Sequence, residues 1–254
     1  MAVGVVAGPG AVRMRGAPLT MSSPSPCVLF RDSRFVAVDK PSGVVVHRGW
    51  ADDEAPLLQA VRDRVGQHVF PVHRLDRGAS GVVLFALDAD AAGAMAKLWS
   101  SADCIDKRYL AITRGHPPPH TLLDHPVPRE PGGERVGAVT EIWLRETIGR
   151  YALVEARPHT GRLHQIRRHL KHLACPLVGD VKYGKGEHNR VWRDAHALHR
   201  LALHATSLAF THPYAGTRVV VDAPLPADFS AALASARAAY GEPGGASSAA
   251  PPSA

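Results

Sequence analysis

Val72-His73-Arg74-Leu75-Asp76-Arg77-Gly78-Ala79-Ser80-Gly81-Val82-Val83-Leu84-Phe85-Ala86-Leu87-Asp88 is the stretch that decides how this chain is built. Gly81 to Leu87 is an apolar run of strand length, expected where a strand is covered on both faces. Asp88 can cap a helix, and the Ala-rich segment to about Ser101 supplies one. Upstream, Cys27–Phe30 and Phe35–Lys40 read as short strands across the polar turn Arg31-Asp32-Ser33-Arg34, and Pro41-Ser42-Gly43 ends the second. Leu57, Leu58, Val61 and Val65 share one face of a helix over 57–65. Downstream, strand character returns at Tyr109–Ile112, Trp143-Leu144, Tyr151–Ala156, Leu203–Phe210 and Arg218–Val221, with a helix over Leu163–Leu173. Residues 116–138 hold six prolines and read as a long connection. Strands outnumber helices and show no regular strand–helix–strand rhythm. The fold class is therefore α+β, on a mixed, mostly antiparallel sheet.

The chain has 254 residues, enough for one large domain with a substantial core. Its 45% hydrophobic and 21% charged residues exclude wholesale disorder. Residues 1–26 and 241–254, rich in Gly, Ala, Ser and Pro, are expected to form a flexible extension and a disordered tail, leaving 27–240 as the folded unit. No run approaches the roughly eighteen apolar residues of a membrane span, and the N-terminus lacks a signal-peptide pattern. Three scattered cysteines, Cys27, Cys104 and Cys175, fit reduced thiols in a cytoplasm. A net charge of +7 points toward a polyanionic partner.

Three segments carry chemistry. In the opening stretch, Asp76 lies between Arg74 and Arg77 in a Gly-containing loop ahead of the strand. Two nearby cations favour its ionised form and would hold a nucleophile or base; a salt-bridged loop carboxylate reads the same way. In Asp106-Lys107-Arg108-Tyr109, the Tyr109 ring can stack on a base and present its hydroxyl, although a plain strand-edge tyrosine also fits. The third segment runs from Arg157 to Leu173. There Leu163, Ile166, Leu170 and Leu173 form an apolar stripe, Arg167 lies on its flank, and Arg168, Lys171 and His172 are expected to face outward. From Ala156 to Gly179 there are five Arg or Lys and no acidic residue, which marks a phosphate-contacting region, or a solvated helix face. His164, His169 and His172 spread over a wide arc without His-Glu-x-x-His or Cys-x-x-Cys, so no metal site is expected. Neither a glycine-rich nucleotide loop nor a Gly-x-Ser-x-Gly elbow occurs.

Taken in this order, the segments resemble the pseudouridine synthases of the RluA type. His73-Arg74-Leu75-Asp76-Arg77 with Ser80-Gly81 is similar to that family's catalytic-aspartate motif. Lys107-Arg108-Tyr109 is similar to its tyrosine motif, and Gly161-Arg162 with His164-Gln165-Ile166-Arg167 to its basic motif. Asp39-Lys40-Pro41-Ser42-Gly43, Gly179-Asp180 with Tyr183-Gly184, and Leu203-His204-Ala205 agree further. Gly78-Ala79 departs from the pattern: a Thr usually precedes the Ser-Gly, and Ala79 lacks its bracing hydroxyl. Val46-His47-Arg48-Gly49-Trp50, Val61-Arg62-Asp63 with Gly66-Gln67-His68-Val69-Phe70, and Arg167-Arg168-His169-Leu170 resemble the branch that modifies position 65 of tRNA.

The resemblance implies a pseudouridine synthase catalytic fold, with helices and loops around a central RNA-binding cleft. It implies a reaction that breaks the uracil N1–C1′ bond and rejoins the base through C5, with no metal or cofactor. Asp76 would open the glycosidic step, as nucleophile or base. Tyr109 would pack on the flipped ring and help remove the C5 proton. Arg167 would pair with Asp76, and Arg74 would fill the vacated stack. Arg77, Arg162, His164, Gln165, Arg168 and Lys171 are the remaining expected substrate or RNA contacts. The implied partner is RNA, and tRNA in particular, bound by a cytoplasmic monomer with no protein partner and no membrane association. A ribosomal-RNA synthase of the same family and an inactive RNA-binding protein are the alternatives, the latter opposed by the joint presence of Asp76, Tyr109 and Arg167.

Overall fold

The computed structural model describes residues 26–47, 56–99 and 104–241. The readings of residues 1–26 and 241–254 as tails fall outside these, apart from Pro26 and Gly241, as does Arg48-Gly49-Trp50. Along the chain come β1 (Cys27–Arg31), β2 (Phe35–Lys40), α1 (Leu57–Val65), β3 (Phe70–Pro71), β4 (Ser80–Ala86) and α2 (Ala89–Trp99). Next are β5 (Ile105–Arg114), β6 (His120–Asp124), β7 (Val127–Pro128), β8 (Arg135–Val136), β9 (Val139–Ile148) and β10 (Tyr151–Pro158). Then α3 (Gln165–His172), α4 (Gly186–His196), β11 (Leu203–Thr211), β12 (Arg218–Asp222) and α5 (Ala227–Tyr240) complete the described chain. No helix among the described residues is long and apolar enough to cross a membrane.

Ten strands form one sheet in the order β1-β2-β4-β11-β5-β10-β9-β6, with β12 added on β11 and β3 on β4. The β4–β11 pair is parallel, and the other pairings within this sheet are antiparallel. All seven residues of β4 are buried, and they divide between two cores. Val83 and Phe85 pack with Val36, Val38 and Val61, while Val82, Leu84 and Ala86 pack with Phe35, Met95 and Phe210. A two-sided strand needs no polar alternation, which is why its apolar run is unbroken. Each of Leu84, Phe85 and Phe210 is fully buried, worth about 1.5–3 kcal/mol apiece relative to exposure.

The parallel seam depends on Gly81. Its φ is +112°, and a Cβ there would lie 2.1 Å from the Ala205 carbonyl oxygen. Only glycine lets β11 approach this closely. The seam pairs Ser80 with His204 in register and joins their side chains, Oγ to Nδ1, at 2.8 Å. It also brings the loop that precedes β4 against β11 and β5.

Asp88 caps α2 as expected: its Oδ1 accepts from the Ala91 N–H at 2.7 Å. The expected end of that helix near Ser101 lies outside the described residues. Helix α3 begins at Gln165, two residues later than the stripe suggests, because His164 adopts a left-handed φ of +53° that cannot continue a helix. The proline-rich connection contains β6, β7 and β8, and β6 forms the far edge of the sheet. Helices α4 and α5 were not anticipated from the sequence.

Candidate active site

A cleft of about 370 Å³ opens where the loop before β4, the start of β5 and the N-terminal end of α3 converge. Arg74, Asp76, Tyr109, Arg162, His164 and Arg167 are among the residues that line it. The sheet places Tyr109 and Lys107 two residues apart on β5, hence on the same face. Helix α3 presents Arg167 from the opposite side while its stripe residues Ile166 and Leu170 are buried in the core.

The Asp76 loop is held from below by buried polar groups. Lys40 is fully buried, and its Nζ donates to the carbonyls of Pro41, Val44 and Arg77 at 3.0, 2.7 and 3.2 Å. Burial, reinforced by Arg200, pushes this ammonium down to about 7, against the pull of Asp76 and Asp39. Ser42 Oγ donates to the Gly78 carbonyl at 2.7 Å, and the Gly43 N–H donates to the Arg77 carbonyl at 2.8 Å. The Ala79 N–H closes the turn onto the Asp76 carbonyl at 3.0 Å. These bonds brace the loop without the hydroxyl that Ala79 lacks.

One guanidinium holds two carboxylates. Arg167 Nη1 donates to Asp76 Oδ2 at 3.0 Å, while its Nε and Nη2 donate to Asp180 at 2.7 and 2.9 Å. The Asp180 side chain is completely buried, and its Oδ1 also accepts from the N–H groups of Lys182 and Tyr183 at 2.9 Å each. Burial disfavours its charge, but the Arg167 bonds and the two backbone donors prevail and hold the carboxyl below its usual range. Burial likewise opposes the charge on Arg167, and the bonds to Asp180 and Asp76 outweigh it and raise the guanidinium above its usual range. Asp76 keeps 19% of its side chain exposed and faces the cleft. Tyr109 is 9% exposed; burial, and then Asp76, push its phenol well above the usual range.

The other expected contacts divide. Arg74 is exposed at the cleft wall, and Arg162, also on the wall, donates from Nε to the Gly137 carbonyl at 3.1 Å. Arg77 corrects the expectation that both flanking cations serve Asp76. Its Nε donates to the Gly43 carbonyl at 3.0 Å, while Arg167 Nη1 donates to the carboxylate. In a tight turn, successive side chains diverge. Gln165 is buried: its amide donates to Val139 O and Thr140 Oγ1 and accepts from Thr160 Oγ1 and the Arg162 N–H. It braces the cleft wall from inside. Arg168 does not face freely outward, because it is half-buried with Nε on Tyr183 Oη at 3.0 Å and Nη1 on the Pro128 carbonyl. Lys171 is exposed beyond the cleft. His169 bonds Thr140 Oγ1 and the His125 carbonyl, and His172 stacks on His125 at 3.8 Å. Among the described residues, no group of three or more His, Cys, Asp or Glu converges to hold a metal.

Four groups here carry no assigned role from the sequence: Asp180, Tyr183, Lys107 and Trp99. Trp99 stacks on His73 at 4.8 Å, and Lys107 Nζ lies 5.8 Å from the Trp99 ring. The available signal for Asp180 was an acid and a tyrosine standing directly after a basic stretch free of acids.

The pattern described as RNA pseudouridylate synthase matches residues 34–172, which include the Asp76 loop, Tyr109 and all of α3. The tRNA pseudouridine synthase C of Vibrio cholerae is 39% identical over 221 residues, covering 78% of this chain and 90% of that protein. Its Salmonella typhimurium counterpart is 38% identical over 229 residues, covering 81% and 88%. Among solved structures, human RNA pseudouridylate synthase domain containing 4 superimposes with a TM-score of 0.68 at 26% identity, covering 83% of this chain and 93% of that one. With the fold, the cleft and these likenesses in agreement, the chain belongs to the RNA pseudouridylate synthase family.

Proposed function

We propose that this protein converts a uridine of tRNA into pseudouridine at position 65, with Asp76 supplying the carboxylate that opens the glycosidic step. The observation that carries this reading is the Asp76–Arg167 pair at 3.0 Å on the wall of the cleft beside Tyr109. An inactive RNA-binding protein has no need for a carboxylate held this way at the wall of a cleft. The tRNA substrate is supported by the names of the relatives and by the motif resemblance.

A uridine in a stem must leave the stack to reach the cleft, at a cost of a few kcal/mol. Arg74, exposed at the wall beside Asp76, is placed to occupy the vacated position. Within the cleft the N1–C1′ bond breaks, the uracil turns, and C5 bonds to C1′; N1 gains a proton and C5 loses one. Arg167 donates to Asp76 Oδ2 and fixes the carboxylate in a site from which the base displaces water, where the attraction between the two is strengthened. Tyr109 packs on the ring. Arg162, Arg168 and Lys171 lie along the path of the RNA backbone. All of these groups come from one chain, so a monomer suffices. The three free cysteines, Cys27, Cys104 and Cys175, suit a cytoplasmic setting.

The test is tritium release from tRNA transcripts labelled at C5 of uridine, together with pseudouridine mapping in tRNA and ribosomal RNA from cells lacking the gene. Loss of the mark at position 65 of tRNA is the expected result. Loss only from ribosomal RNA would replace the substrate.

A further inference from the structure

His164 stands in a conformation that the chain had no need to choose. It is a non-glycine residue at φ +53°, immediately before α3, and its side chain enters the cleft. Such backbone conformations carry strain and gather at functional positions. The ring is held from both sides. Nδ1 lies 3.1 Å from Tyr183 Oη, and Nε2 lies 3.9 Å from Asp76 Oδ1, the carboxylate oxygen that Arg167 leaves open.

The hydrogen-bond inventory favours one tautomer. Arg168 Nε donates to Tyr183 Oη at 3.0 Å, and with Oη already accepting that bond, its own O–H is placed to donate to His164 Nδ1 at 3.1 Å. The imidazole proton is then on Nε2, directed at Asp76. Burial, helped by Arg167, Lys182 and Arg168, holds the imidazole below its usual range despite the pull of Asp76. An N–H at 3.9 Å faces the carboxylate without completing a hydrogen bond, and catalytic hydrogen bonds commonly tighten when the substrate closes the site.

We infer that His164 is a positioning residue, an Nε2–H donor that Tyr183 orients through Nδ1 and that holds Asp76 Oδ1 while Arg167 holds Oδ2. Gripped from both oxygens, the carboxylate cannot rotate as the uridine enters. His164 therefore acts on the reaction through Asp76, and its contribution lies in turnover more than in RNA affinity. The inference rests on Asp76 performing the chemistry.

The experiment measures kcat, KM and melting temperature on labelled tRNA for His164→Asn, His164→Gln, Tyr183→Phe and the double variant His164→Asn/Tyr183→Phe. Asn accepts the left-handed backbone readily but is too short to reach Asp76. His164→Asn should retain the melting temperature and KM and lose about tenfold or more in kcat, short of the ~10²–10³ typical of a donor aimed at developing charge. Gln, with a donor farther from the backbone, should recover part of that loss. Tyr183→Phe keeps the ring and should lower kcat less, and the double variant should be no worse than His164→Asn alone. Wild-type kcat in His164→Asn, a raised KM with kcat unchanged, or multiplying losses in the double variant would each overturn the inference. Asp76→Asn, run alongside, separates the two failures. If it is inactive, the parent reading stands whatever His164 does; if it is active, both fall.

Discussion

Helix α3 turns two adjacent arginines to opposite uses. On the inner side, Arg167 is 10% exposed and tied to two carboxylates. On the outer flank, the half-buried Arg168 donates to the Tyr183 hydroxyl and the Pro128 carbonyl, and Lys171 stands exposed. The inner charge is neutralised inside the protein and sets up chemistry. The outer charges remain available to phosphate. Arg157 falls on the neutralised side of this division as well, since its Nε lies 2.7 Å from Asp106. Of the five cations between Ala156 and Gly179, Arg162, Arg168 and Lys171 are the ones proposed to meet RNA. Charge counted along a sequence overstates the charge offered at the surface.

The largest effect belongs to the inner side. Asp76→Asn keeps the shape and much of the hydrogen bonding but removes the charge, so tritium release should fall to background while tRNA affinity stays equal or improves. Turnover in that variant would break the catalytic assignment. Arg167→Ala should abolish turnover and also cost about 3–5 kcal/mol of stability, because it strands a buried partner. The two carboxylates sharpen this, since Asp180 is completely buried and Asp76 is not. Adding Asp180→Asn to Arg167→Ala should therefore restore more stability than adding Asp76→Asn. Denaturant midpoints decide it, and equal recovery would mean that the two ends of the guanidinium are equivalent.

Acid should also destabilise the fold around the cleft. Burial holds His73 at about 3 and His204 at about 4, against an ordinary 6.5. The His73 Nε2 accepts the Leu84 N–H at 3.0 Å, a bond available only to the neutral ring. Between pH 6.5 and about 4 the unfolded chain binds more protons than the folded one, so stability falls as pH falls. The slope reaches up to about 1.4 kcal/mol per pH unit for each group. Asp180, whose folded carboxyl lies below its ordinary 3.8, adds its loss only at lower pH. Midpoints that stay flat from pH 6.5 to 4.5 would contradict neutral, buried imidazoles.

How far the molecule was legible follows the range of each interaction. The two-faced strand β4 and the stripe of α3 were readable because periodicity is local. Asp76, Tyr109 and Arg167 were readable because each stands in a motif, and their convergence rests on the β4–β11 seam that Gly81 permits. Asp180 could be quoted but not assigned, since nothing in the local pattern tells that a carboxylate thirteen residues from Arg167 returns to share its guanidinium. Arg77 misled because neighbours in sequence diverge in a turn. Helix α4 escaped because its buried side chains include His188 and His196 beside Trp192, a polar signature for an inward face. Helix α5 escaped because alanines surround it and blur the stripe made by Phe229, Ala232, Leu233 and Ala236.

The smallest effect belongs to the outer side and tests whether the division of α3 is real. Lys171 is exposed, and its Nζ lies 5.9 Å from the Tyr183 ring, with Lys182 Nζ at 5.7 Å from the same ring. Repulsion among such cations eases when a phosphate arrives, and the counterions it displaces make binding depend on salt. Lys171→Ala should leave folding and kcat at saturating tRNA unchanged, weaken binding modestly, and flatten the plot of log affinity against log salt by about one unit. Arg157→Ala provides the contrast: it removes the same formal charge from the same stretch, but that charge is paired with Asp106, so the slope should hardly move. Equal slopes for the two variants would mean that total charge governs tRNA binding and that the inner and outer sides of this region are not distinct to the RNA.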